Sequence, residues 1–114
     1  MKATFVHDGE AINYRPAEDT AAGSVVVQNG LVGVTKRPLK AGELGSLHLV
    51  GVYELPKATG GGTALDVGTR VYWDAGNERV TTSASGNTLM GRVTVAAGDD
   101  DETVSVRLMP TLAA

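Results

Sequence analysis

Gly68-Thr69-Arg70-Val71-Tyr72-Trp73-Asp74 is the stretch whose reading decides the fold. Val71 and Trp73 stand two apart, with Arg70, Tyr72 and Asp74 in the alternate positions, which is the period of a strand with one buried face. Behind it, Ala75-Gly76-Asn77-Glu78 is a turn in which Gly and Asn tolerate positive φ, and Arg79-Val80-Thr81-Thr82 returns as a second strand. Trp73 is the one tryptophan in a chain with three Tyr and one Phe. It carries the largest apolar surface, so its surroundings are predicted to be the best-packed part of the core.

The rest of the chain repeats this pattern. Val, Leu and Thr dominate over a single Ile and a single Phe, and 15 Gly are spread along the length. Small branched side chains punctuated by turn residues favour strands. The expectation is an all-β fold: one domain over 1–114, a small antiparallel β-barrel or sandwich of short strands and hairpins, with Gly-rich loops and little helix.

Asn29-Gly30, between the β-branched runs 24–28 and 31–35, is the strongest hairpin signal. Asp8-Gly9 is predicted to join a short strand over 4–7 to another over 11–15, with Ile12 and Tyr14 on one face. Leu31-Val32-Gly33-Val34 recurs as Leu49-Val50-Gly51-Val52, which reads as two strand-turn-strand units on one plan. The glycine in each copy suggests a bulge or a close backbone approach. Residues 57–63 and 83–88 read as surface loops, the first of them mobile. Leu89 to Val95 reads as a strand with Val93 and Val95 facing one way, and Val104, Val106 and Leu108 alternate in another. Pro16, Pro38, Pro56 and Pro110 all fall at segment ends, as strand ladders require.

Chemistry is sparse. There is no Cys, so thiolate metal sites, disulfides and cysteine nucleophiles are excluded. His7 and Asp8 are adjacent and would point to opposite faces of a strand, while His48 sits opposite Leu47 and Leu49 as an outward residue. Neither makes a catalytic set, so no catalytic residue is assigned. Asp99-Asp100-Asp101-Glu102 lacks the alternating spacing of a calcium loop and reads as a solvated turn, with no metal expected. Gly60-Gly61-Gly62-Thr63 is not followed by the Lys-Ser/Thr of a phosphate loop, and no cofactor is expected. The net charge of −3 and the isolated cations of Lys36-Arg37-Pro38-Leu39-Lys40 disfavour nucleic acid as a partner. No apolar run is long enough to span a bilayer, and the first residues lack a signal-peptide core, so a soluble, unexported chain is expected.

Taken together, several segments carry a resemblance: Ile12-Asn13-Tyr14, Gly23-Ser24-Val25-Val26-Val27, Leu31-Val32-Gly33-Val34-Thr35, Ala41-Gly42-Glu43-Leu44-Gly45, Val50-Gly51-Val52-Tyr53-Glu54-Leu55-Pro56-Lys57, Gly68 to Asp74, and Val104-Ser105-Val106-Arg107-Leu108. In this order they resemble the tailed-phage and prophage capsid cement, or decoration, proteins. The resemblance implies a β-barrel-like protein, not an enzyme, made in the host bacterial cytoplasm. It would sit as a homotrimer on the outer surface of the expanded head, bind the major capsid protein and reinforce the shell.

For the shell contact the candidates are Phe5, His7, Asp8 and Tyr14, an N-terminal arm over 1–8 with Tyr14 behind it, since a terminal strand can add to a neighbouring sheet edge. Phe5 has two open placements, as an anchor on the shell or in its own core. For the trimer contact the candidates are Val52, Tyr53 and Leu55, an apolar group ahead of the glycine loop. Two rival functions stay open. One is a small β binding module of a phage tail or adhesion apparatus; the other, resting only on the two His, is a small enzyme.

Overall fold

The computed structural model describes residues 2–109, and among them the chain is all-β. Nine strands form: β1 (Ala11–Tyr14), β2 (Val25–Gln28), β3 (Leu31–Val34), β4 (Gly45–His48), β5 (Gly51–Pro56), β6 (Arg70–Asp74), β7 (Arg79–Thr81), β8 (Thr88–Val95) and β9 (Thr103–Leu108). They make two antiparallel sheets, a four-stranded one in the order β1-β4-β3-β2 and a five-stranded one in the order β5-β9-β8-β6-β7. The sheets are open, which agrees with the sandwich and not with a closed barrel. The five-stranded sheet does curl far enough for its two edges to touch at one isolated bridge, Lys57 to Val80.

The opening hairpin is present as read. Val71 and Trp73 are buried, Arg70 is exposed, and Trp73 pairs with Val80 of β7. Its turn differs in one detail. The residue at positive φ is Glu78 (φ 52), not Asn77 or Gly76. The Asp74 carboxylate holds the turn by accepting from the backbone N–H of Gly76 and Asn77 and from the Asn77 side-chain amide at 2.7 Å. These bonds, that from the Asn77 side chain first, keep Asp74 below the usual carboxylate range.

One main core joins the sheets. Val32 and Val34 of β3 pack with Leu55, Leu65, Val71, Trp73, Val80, Met90, Val93, Val104, Val106 and Leu108. A fully buried side chain of this kind contributes roughly 1.5–3 kcal/mol. Leu39 and Leu47 are also buried, over positions where glycine leaves them space: a Cβ on Gly33 would run into Leu47, and one on Gly45 into Leu39.

The Asn29-Gly30 hairpin forms with both turn residues at positive φ (50 and 86) and Gln28 opposite Leu31. Other expectations are corrected. Residues 4–7 form no strand; β1 pairs with β4 instead, Ile12 opposite Leu47, so the partner is distant in sequence and no local turn signal could name it. The two Leu-Val-Gly-Val copies are not alike. Leu31–Val34 is a strand, whereas the second copy straddles the passage from β4 to β5, with Gly51 at φ 123. Val95 does not share a face with Val93: the ladder to β9 shifts between them, so Val95 pairs with Ser105 and lies exposed. Pro16, Pro38 and Pro56 lie at or beyond segment ends, Pro56 closing the edge strand β5, while Pro110 lies outside the described residues.

Candidate contact surfaces

The loop over 57–63, expected to be mobile, is tied down. Lys57 is only 6% exposed, and its ammonium donates to the carbonyls of Ala58 (2.7 Å), Gly98 (3.0 Å) and Asp101 (3.0 Å), with the Thr63 hydroxyl at 3.5 Å. Asp99 completes the knot. Its carboxylate accepts from the N–H of Thr63 and Ala64, and its carbonyl accepts from Gly60 N–H and the Thr63 hydroxyl. Asp101 in turn accepts from Gly98 N–H. The glycine loop and the acidic tip are therefore one hydrogen-bonded unit around a buried cation. Sequence reasoning missed it; the signal was a lysine at the end of a strand, between a proline and a run of small residues. Among the described residues no group of three His, Cys, Asp or Glu is placed to hold a metal ion.

At the N-terminal arm, residues 2–8 have no strand or bridge, and Phe5 and Val6 are 79% and 81% exposed. Among the described residues Phe5 thus packs in no core. The His7 Nδ1 accepts from Gly9 N–H at 2.9 Å, with Gly9 at φ 76, so His7 serves a local turn, and Asp8 is exposed. Tyr14 closes β1 opposite Gly45 and is half-buried. His48 is half-buried in β4 opposite Ala11 and Val34, on the other side of the strand from the buried Leu47.

On β5 the three trimer candidates divide between two faces. Val52 is 60% exposed. Leu55 is buried in the main core, and Tyr53 packs against that core with its hydroxyl donating to the Val50 carbonyl at 3.3 Å. Burial pushes the Tyr53 hydroxyl above its ordinary pKa. The Lys36–Lys40 cluster behaves as a turn: Arg37 pairs with Glu43 at 3.6 Å, Leu39 is buried, and Glu43 accepts from Lys40 N–H, which with Arg37 lowers its pKa.

The outer face of the five-stranded sheet carries a row that sequence reasoning did not assemble. Arg70 pairs with Arg92, Arg92 with Arg107, and Arg107 with Val52, so three guanidiniums and one exposed valine cross four strands side by side. All four residues are exposed. Their outward parity was legible in each strand, but their alignment depends on register between distant segments.

The family model for phage cement protein matches residues 6–108, and the chain belongs to that family. It is a bacteriophage structural protein with a capsid-associated role, and its place is on the virion capsid. No curated protein and no solved structure matches the chain.

Proposed function

We propose that the protein is a decoration protein. It binds the outer surface of the expanded head as a homotrimer over sites where major capsid protein subunits meet, and it reinforces the shell against the pressure of packaged DNA. In this reading the 114 residues act as one domain with an N-terminal arm over 1–8, synthesised in the host cytoplasm and without catalytic activity. The observation that carries it is the family match over nearly the whole β fold. The arm supports it too: Phe5 and Val6 are large apolar side chains left exposed among the described residues, suited to a neighbour's sheet edge or groove. Tyr14, His7 and Asp8 lie at its base. Of the β5 candidates, Val52 is the residue free to meet another copy, with Tyr53 and Leu55 supporting its strand from beneath. Several such contacts per trimer add through effective concentration, so each can be modest.

Mixing purified protein with undecorated heads and sedimenting the heads tests this. Saturable co-sedimentation, with decorated heads surviving heating that opens bare ones, is expected. A protein that stays in the supernatant at every concentration overturns the reading.

A further inference from the structure

Among the described residues the arginine row has no ionic partner, and the one ion pair is Arg37–Glu43, at the other sheet. Within the row, Arg92 donates to the Gly68 carbonyl at 2.9 Å, a bond that leaves its charge unbalanced. The next row on the same face holds Glu54, opposite Ser105, but its carboxylate is engaged by the Thr103 hydroxyl, on the side away from Arg107. Like charges directly opposite one another on neighbouring strands are destabilising. Three in register, in a chain of net charge −3, form a concentrated positive strip spanning two strand spacings, roughly 10 Å.

The same chain also displays the complementary charge. In the acidic tip, Asp99 and Asp101 turn their carboxylates inward to backbone N–H groups. Asp100 and Glu102 are exposed, and no hydrogen bond or ion pair among the described residues engages their carboxylates. The tip is tied down, because Lys57 donates to its Gly98 and Asp101 carbonyls and Asp99 accepts from the N–H groups of Gly60, Thr63 and Ala64, so little ordering remains to oppose binding. It cannot reach its own row. It lies off the end of the β8–β9 ladder, and Arg107 stands four residues beyond Thr103, about 13 Å along the strand.

We infer that the arginine row Arg70–Arg92–Arg107 receives the acidic tip, Asp100 and Glu102, of a second copy of this chain. The contact joins two different patches, so it is head-to-tail, and it closes into a ring when the rotation between copies allows. This deepens the proposed trimer and rests on it only for the number of copies. A second copy is favoured over an acidic site on the shell because its free, rigidly held carboxylates are in view.

Sedimentation equilibrium at micromolar concentration tests it with three full-length variants: R92E/R107E, D100R/E102R and the fourfold combination. All four positions are exposed, and far-UV circular dichroism checks folding. Each double variant is expected to weaken self-association about ten-fold or more, the fourfold charge swap to restore it, and raised salt to weaken the natural protein. A natural protein that is monomeric, double variants that keep their assembled mass, or a fourfold variant that fails to recover each overturn the inference. Head co-sedimentation is read in parallel. Double variants that stay assembled but no longer bind heads would assign the row to the shell instead, whereas heads ignored by an assembled natural protein would count against the decoration reading alone.

Discussion

The backbone carbonyl of Arg107 occupies the space that a side chain at Gly91 would need. Gly91 is buried in β8, opposite Leu108 of β9 and Val71 of β6, so it stands in the middle of the three central strands. G91A is expected to cost more than about 2 kcal/mol, since a backbone cannot yield as a side chain can. G33A, whose Cβ meets the Leu47 side chain, is expected to cost less. Urea denaturation of the two variants checks the order.

Replacing Lys57 with Met removes the donor shared by the Ala58, Gly98 and Asp101 carbonyls, three part-buried bonds at once. A loss of about 2–4 kcal/mol is expected. Limited proteolysis should then cut first within residues 58–63 or 98–102, the two segments the ammonium joins.

Glu78 holds a left-handed conformation that a side chain disfavours. E78G is expected to raise stability by about 0.5–1 kcal/mol, measured as a shift in thermal midpoint. The Asn29 position, also left-handed, should gain less from the same change, because Asn tolerates that region.

Asp74 has a folded-state pKa below its unfolded value, through the Asn77 side-chain amide and the backbone N–H of Asn77 and Gly76. Its contribution is therefore complete above the unfolded pKa, about 3.9, and is lost as pH falls through the folded value. The stability gap between the natural protein and D74N should be flat near neutrality and close below about pH 4. A gap that widens on acidification would contradict the turn clasp.

Removing residues 2–8 should change folding stability by less than about 0.5 kcal/mol, since that segment contributes no strand and no core side chain. Head binding should fall by ten-fold or more. Equal loss of both would place the arm in the fold and not at the shell.

The strands with local signals were readable. Val71 and Trp73, the Asn29-Gly30 turn, and the Val104–Val106–Leu108 alternation all stand as their spacing implied. What failed depended on partners far along the chain. The 4–7 segment looked like a strand, but β1 found β4, leaving nothing for it to pair with. Val95 was read by parity, and a one-residue shift in the ladder reversed it. The candidate surface divided likewise: Phe5 was legible as a large apolar residue near a terminus, while the spacing of Val52 and Leu55 set them on opposite faces and only the fold shows which of the two is buried. The arginine row needed three registers at once, and Lys57 needed a loop 41 residues away.

The ammonium at Lys57 also does what a bound metal ion does elsewhere, collecting carbonyl oxygens from two loops around one positive charge. Unlike such an ion, it is covalently tethered. It has no dissociation constant, cannot be diluted away and offers nothing for a chelator to extract. A virion released from its host passes into water of any mineral content, and this fold carries its own counter-charge with it.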